Sequence, residues 1–375
     1  MHPPACALPN LAQVPDLRDF IPQLLSRNII RELPTPLQHP VFFSRLFLVT
    51  KKDGPFRPVL DLSRLNKYLV VPHFKMESIQ SIALGIVEPM WGCTLDLQDA
   101  FFHVPMAWRF HGFLAFVLDG RVFVFQYLPF GLALAPWAFN RITNPVKSHL
   151  HLCSVHAHSY LDDFFFLSFS PEGLQEVVDF VLDLFRRLGL SVNVKKSNLS
   201  PSQKVQYLGA IFHLDSLTLT LPESKVAQIV SLAQDTLLLR QCSRRHLERL
   251  MGLLNWASNF VPLGRLRLRP LIRWMNRHTS PPTRDQLTPL DGAFKSSLQV
   301  WVDRSFLVHS IPMAPPLPTL QLMTDASKRG WCGVLLPHQV EGVWPQEFAQ
   351  HSSNALELRA ILLSLHQLCL MVDLR

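Results

Sequence analysis

The sequence predicts an α+β protein, an antiparallel sheet with alternating helices followed by a small helical domain. Three observations carry this. Short apolar runs are joined by tight turns, as in HSYLDDFFFL at 158–167. Polar and apolar residues segregate onto helical faces in PEGLQEVVDFVLDLFRRLGL, where Leu174, Val177, Val178, Val181 and Leu184 keep helical spacing. The 375 residues are 48% hydrophobic, enough for a sizeable core and for two or three domains.

In chain order, FSRLFLVTKKDGPFRPVLDL (43–62) reads as a hairpin with a basic Lys-Lys-Asp-Gly tip. WGCTLDLQDAFFHVPM alternates over Cys93, Leu95 and Leu97 as a strand does, which turns Asp96 to the opposite face. VFVFQYLPFGLALAPWAF runs from strand through a Pro-Phe-Gly turn into helix, and SVHAHSYLDDFFFLSF reads strand, turn, strand. SLTLTLP alternates strictly, and Val226, Ile229, Val230, Ala233 and Leu237 mark an amphipathic helix beyond it. Ser243 fits the N-cap of a second helix buried through Leu247, Leu250, Met251 and Leu254. Two Pro-rich stretches, HTSPPTRDQLTPL and IPMAPPLPTL, read as linkers, and the last piece holds strand-like LQLMTDAS and GWCGVLLP before the helix of LELRAILLSLHQL.

Composition narrows the partners. Lys plus Arg is 36 against 28 for Asp plus Glu, a net charge of +8 with pI ≈ 9.4, which favours a polyanion such as nucleic acid. Mean hydropathy is +0.16, yet no apolar run approaches the roughly 18 residues that cross a bilayer, and MHPPACALPN lacks the regions of a signal peptide. An intracellular chain with no membrane partner is expected, in cytoplasm or nucleus. The six cysteines form no C-x-x-C pair and read as reduced thiols.

Asp162 and Asp163 stand together in a turn without glycine, and two adjacent carboxylates need a strong counter-charge. If their strand neighbours the one ending at Asp96, three carboxylates converge. Two Mg²⁺ ions about 3.5 to 4 Å apart would cancel their repulsion and orient attack on a phosphate. Taken alone, Tyr-Leu-Asp-Asp also fits a solvated hairpin tip.

At this point the sequence resembles the reverse transcriptases, whose blocks it repeats in order. TLDLQDAFFHVP is similar to the first catalytic block, LPFGLALAPWAF to the second, YLDD to the third, LGLSVNVKKS to the fourth and YLG to the fifth, after LVTKKDGPFRPVLDLSRLN of the fingers. FFSRLFLV, FKMESI and VPLGRLRLRPL resemble the DIRS-type retroelements, which integrate with a tyrosine recombinase, and the last segment resembles the start of a ribonuclease H. The resemblance implies a right-hand polymerase. Its parts are a lead-in at 1–40, fingers and palm at 41–220, thumb at 221–278, a Pro-rich connection at 279–318 and a partial ribonuclease H-like domain at 319–375.

It also implies RNA-directed DNA synthesis, from dNTPs onto a primer on an RNA or DNA template, with two Mg²⁺ ions, or Mn²⁺ in their place. Asp96, Asp162 and Asp163 would bind the metals, and Lys196 would protonate the departing pyrophosphate. Lys51 and Arg57 would lie over the triphosphate, Asp99 and Ala100 would offer it backbone amides, and Phe101 would stand beneath the sugar as a steric gate. Phe130, where retroviral enzymes carry glutamine, and Gly131 would line the nucleotide site, with Gly131 and Pro136 admitting a close backbone approach. Tyr207, Leu208 and Gly209 would shape a primer grip, although that tripeptide also fits core packing. A decayed element copy that binds nucleic acid without catalysis and an RNA-dependent RNA polymerase are the rival readings; Phe101 and the ribonuclease H segment disfavour the second. No residue pattern specifies an oligomeric state.

Arg265, Arg267 and Arg269 alternate as on an extended segment, while Arg269, Arg273 and Arg277 recur at helical spacing; either register presents arginines to duplex phosphates. His151, Cys153, His156 and His158 mimic metal-ligand spacing but read better as a strand interior. Asp325 and Glu357 match the first two acids of the ribonuclease H pattern, Asp373 comes too soon to be the third, and no hybrid cleavage is expected.

Overall fold

In the computed structural model the described residues are 15–34, 41–51, 54–278, 287–315, 320–348 and 350–372. They fall into two units, Met1–Ala314 and Pro315–Arg375.

In the first unit, helix α1 (Pro15–Ser26) leads to strand β1 (Ile30–Glu32), and β2 (Arg45–Lys51) pairs antiparallel with β3 (Gly54–Asp61) as the expected hairpin. Two short helices follow, α2 (Ser63–Asn66) and α3 (Ile79–Leu84). A capping box fixes the start of α3: Ser81 N donates to Ser78 Oγ, and Ser78 N donates to Ser81 Oγ. Strand β4 (Trp91–Asp96) runs into a 3₁₀ turn at Ala100–His103, and β5 (Ala115–Leu118) and β6 (Arg121–Phe125) close a three-stranded sheet in the order β1-β6-β5.

Helix α4 (Ala135–Leu152), strands β7 (His156–Tyr160) and β8 (Asp163–Ser168), helix α5 (Pro171–Arg187) and strand β9 (Asn198–Ser202) complete the central sheet, ordered β7-β8-β4-β9. Both its faces are covered. Cys93, Leu95, Phe164 and Phe166 pack under the α5 stripe of Leu174, Val178, Val181 and Leu184. On the other side Phe165 joins Ile82, Tyr207, Phe212 and Leu250.

That second core continues through β10 (Lys204–Tyr207), β11 (Ala210–His213) and β12 (Thr218–Thr220) into helix α6 (Glu223–Leu238), strand β13 (Gln241–Ser243), and helices α7 (Arg244–Ala257) and α8 (Gly264–His278). Ser243 caps α7, its hydroxyl accepting from His246 N, and Leu247, Leu250, Met251 and Leu254 are buried as their spacing predicts. The two Pro-rich stretches are more than linkers. Leu287–Pro289 forms β14 against β13, and Ile311–Pro312 forms β15 against β12. Between them lie α9 (Gly292–Leu298), a 3₁₀ turn at Gln299–Val302 and α10 (Arg304–Leu307), which bury Phe294, Leu298, Trp301 and Leu307 in the core shared with α6–α8. Proline is tolerated in these strands because each lies at a sheet edge, where no ladder donor is missed.

The second unit is a three-stranded antiparallel sheet, β16 (Met323–Ala326), β17 (Gly330–Leu335) and β18 (His338–Val343), with helix α11 (Ser353–Val372). Trp331, Leu335 and Val340 meet Leu356, Ala360 and Leu368 in its core. β18 has no counterpart among the expected strands; its sequence, HQVEGV, is half polar and buries only Val340. No helix among the described residues is long and apolar enough to cross a membrane.

Candidate active site

Asp96 ends β4 and Asp163 begins β8, and the two are directly opposed in the strand register. Cross-strand partners point to the same face, so their carboxyls meet and share a hydrogen bond. Asp162 lies in the two-residue turn between β7 and β8, where Leu161 takes φ +55°. For a branched side chain this left-handed conformation is strained. The backbone around the turn is pinned: Leu97 N donates to Asp162 O (2.9 Å), Tyr207 Oη to Asp163 O (3.0 Å) and Asp96 N to Ser197 Oγ (3.0 Å). Asn193 N donates to Asp96 O (2.8 Å), which ties the fourth block of the sequence to the first.

Crowded carboxylates resist ionising. Burial first, then the charges of Asp162 and Asp96, push Asp163 up to about 7, with Lys196 opposing. Burial and Asp96 likewise raise Asp162, against the pull of Arg57 and Lys196. Asp96, Asp163, Lys196, Tyr207, Leu208 and Gly209 line one open cleft of about 580 Å³. The donor set suits a hard divalent cation, which would discharge the repulsion that these raised carboxyls record. Among the described residues no group of three His, Cys, Asp or Glu forms a ready-made ligand cage; Asp96 and Asp163 are hydrogen-bonded to each other, a pairing that a bound cation would replace. Asp162, for its part, feels the charges of Asp96, Arg57 and Lys196.

The other expected residues sort as follows. Arg57 on β3 lies 4.5 Å over the Phe130 ring, and Phe130 packs 4.9 Å from Phe101, which also meets Phe139 at 5.8 Å. The Arg57 Nε is buried without a hydrogen-bond partner. Lys51 closes β2, but its side chain lies outside the described residues. Asp99, at φ +49°, pairs with Arg27 (3.0 Å), and Ala100 is buried at the start of its 3₁₀ turn. Gly131, at φ +104°, does admit a close approach, but the neighbour is protein. A Cβ there would stand 2.0 Å from Leu60 O. Pro136 sits in the first turn of α4. Tyr207 is buried and its phenol held protonated by burial and nearby carboxylates, while Leu208 and Gly209, at φ +48° and +86°, make the tight turn between β10 and β11.

Two readings are corrected. Gly264–His278 is helical throughout, because Gly264, Leu268, Leu271 and Trp274 form its buried face. Arg265 therefore joins Arg269, Arg273 and Arg277 in one exposed stripe at four-residue spacing, and Arg267 projects elsewhere. His151 belongs to α4, not to a strand, and meets Ala157 O (2.7 Å), while Cys153 is exposed at the helix end. Asp325 on β16 is exposed and Glu357 on α11 half-buried. Asp373 lies outside the described residues.

Several residues escaped sequence reading. Asn66 Nδ2 donates to Gly131 O (2.9 Å) while its Oδ1 accepts from Ala133 N (2.9 Å), clasping the second block to α2. His103 bridges Ala100 O (3.0 Å) and Ser191 N (2.9 Å). Glu77 takes contacts from Lys147, His158 and Ser159 N. Only pairings across long sequence separations create these roles.

Comparison with known proteins agrees with this geometry. Residues 49–212 match the family model "Reverse transcriptase (RNA-dependent DNA polymerase)". The Gag-Pro-Pol polyprotein of Human T-cell leukemia virus 3 is 26% identical over 91% of this chain, and the Transposon Tf2-3 polyprotein of Schizosaccharomyces pombe is 26% identical over 69%. The chain spans 24% and 19% of those two proteins. Among solved structures, the foamy viral protease-reverse transcriptase in complex with double-stranded DNA superposes with a TM-score of 0.71 at 19% identity, covering 98% of this chain and 62% of that one. The same viral protein with an RNA/DNA hybrid gives 0.66, covering 98% and 47%. The first unit thus carries a polymerase fold. More particularly, residues 49–212 match a reverse transcriptase model, and the chain is similar to segments of a retroviral and a transposon polyprotein.

Proposed function

We propose that this chain is an RNA-directed DNA polymerase that extends a primer on an RNA or DNA template. The observation that carries the reading is Asp96 facing Asp163 across β4 and β8 beside the Asp162 turn, within a reverse transcriptase domain. Asp96, Asp162 and Asp163 are the residues that would hold two Mg²⁺ ions, which on binding supply Lewis-acid stabilisation of the reacting oxygens. The primer 3′-oxygen attacks the α-phosphorus, a P–O bond forms, and the bond to the bridging oxygen breaks so that pyrophosphate leaves with its electrons. The 3′-hydroxyl proton passes to solvent, and Lys196, which lines the same cleft, would give one to pyrophosphate.

Arg57 and Lys51 bind the triphosphate, with the Asp99 and Ala100 amides below it. Phe101, braced by Phe130 and Phe139, sets the floor of the sugar site and excludes a 2′-hydroxyl. Tyr207, Leu208 and Gly209 steady the primer end, and the stripe on α8 meets duplex phosphates. Fingers and palm occupy 41–220, thumb 221–278 and connection 279–318. Residues 319–375 are assigned to a ribonuclease H-like fold, in which Asp325 on β16 and Glu357 on α11 stand for its first two acids. The phrases FFSRLFLV, FKMESI and VPLGRLRLRPL support membership of the DIRS-type elements; a tyrosine recombinase gene in the same element strengthens that assignment, and an integrase of another type removes it.

Primer extension on poly(rA)/oligo(dT) with Mg²⁺ tests the reading. The parent is expected to incorporate dTMP, Asp162→Asn to incorporate none, and Phe101→Ala to accept ribonucleotides as well. Equal incorporation by parent and Asp162→Asn refutes the assignment. Duplex binding without incorporation by the parent favours a decayed copy.

A further inference from the structure

The turn that carries Asp162 sits at the end of an outer strand. In the order β7-β8-β4-β9, strand β7 has a sheet neighbour on one side only, and the turn includes the left-handed Leu161. On its open side, Ser159 N donates to Glu77 Oε2 (2.9 Å) and His158 Nδ1 lies 3.1 Å from Glu77 Oε1. Lys147 of α4 completes the contact, its Nζ 3.1 Å from Oε2. Burial alone would raise the Glu77 carboxyl, but the hydrogen bonds from His158, Ser159 and Lys147 outweigh it and hold the group at about 2. It is therefore a carboxylate at every working pH.

Glu77 is itself firmly placed. It directly precedes the capping box of α3, whose Ile79, Ile82 and Ala83 are buried in the core beneath Phe165. The carboxylate thus connects a fixed helix start and the α4 ammonium to the two residues just ahead of the catalytic turn. An outer strand held by hydrogen bonds on one edge gains a second edge, supplied by a side chain instead of a strand.

We propose that Glu77 is a positioning residue for nucleotidyl transfer: with Lys147 as its anchor, it holds the open edge of β7 so that Asp162 and Asp163 keep their place against Asp96. This rests on the polymerase reading above. Removal of such a supporting contact typically costs about 10–100-fold in metal affinity or activity.

The test compares the parent with Glu77→Ala, Glu77→Gln and Lys147→Met in single-nucleotide extension, Mn²⁺ titration and amide hydrogen exchange. Glu77→Ala is expected to lower kcat by about tenfold or more while KM for the dNTP stays within about twofold. Mn²⁺ binding should weaken, and exchange should quicken at residues 159–163 but not along α5. Glu77→Gln, which keeps an acceptor for Ser159 N, is expected to recover part of kcat; it and Lys147→Met carry the comparison if Glu77→Ala does not fold. Unchanged kcat and Mn²⁺ affinity, or losses in kcat and KM together with general exchange throughout the palm, overturn the proposal. A parent that incorporates no nucleotide counts against the polymerase reading instead. The clamp is then decided by exchange and Mn²⁺ binding: supported if both change in Glu77→Ala, overturned if neither does.

Discussion

Replacing Asp163 by asparagine should stabilise the metal-free protein, an outcome opposite to the usual effect of altering a buried polar residue. The Asp163 carboxyl is displaced from 3.8 to about 7 by burial and by the charges of Asp162 and Asp96. A displacement of that size corresponds to about 4 kcal/mol at most, and solvent screening of a partly exposed group reduces this to about 2 kcal/mol. Asparagine carries no charge, and its amide can donate to Asp96 as the protonated acid does. The sign follows from linkage. Below about pH 4 the acid is protonated in both folded and unfolded chains and costs nothing. Between about pH 4 and 7 the unfolded chain has released a proton that the folded chain retains, so the stability of the parent falls as pH rises and levels off above 7. Urea unfolding followed by tryptophan fluorescence, in EDTA at pH 5 and pH 8, measures the difference. The advantage of Asp163→Asn should be larger at pH 8 by roughly 1 kcal/mol or more. An equal advantage at both pH values, or a less stable variant at pH 8, refutes the electrostatic account.

Gly131→Ala should destabilise the protein by about 3 kcal/mol or prevent folding, because its Cβ would stand 2.0 Å from the Leu60 carbonyl at a backbone angle that favours glycine; a urea midpoint within error of the parent removes that contact from the fold. Replacing Arg269 and Arg273 by alanine should each reduce the salt dependence of duplex binding by about one unit of log Kd against log salt. An unchanged slope, measured by fluorescence anisotropy, takes the α8 stripe away from the duplex.

Local signals made much of the fold legible. Period-two alternation reveals β4, a continuous apolar run after a tight turn reveals β8, and the glycine-free turn at Asp162 invites a functional reading before any pairing is known. Ser243 announces α7 because a hydroxyl before an apolar stripe satisfies a helix terminus. What stayed hidden depends on tertiary pairing. In LGRLRLRPL, leucine and arginine alternate, so strand and helix both put arginines on a face; burial of Leu268 and Leu271 decides for the helix. The proline stretches read as linkers since proline cannot donate to a ladder, yet the edges of β12 and β13 need no donor there. Glu77 looks like a solvated acid until a chain segment 82 residues away brings Ser159 N to it.

The three phenylalanines after the catalytic turn have a mechanical consequence. Phe164 and Phe166 belong to one core and Phe165 to the other, each at most 1% exposed. A one-residue slip of β8 past β4 would exchange the two faces of the strand and force all three rings into environments shaped for different side chains. Mutually repelling acids can therefore find no relief by sliding apart, because aromatic packing on both sides acts as a vernier lock. Sequence drift at those rings, far from any reacting atom, would be felt as misalignment of the chemistry.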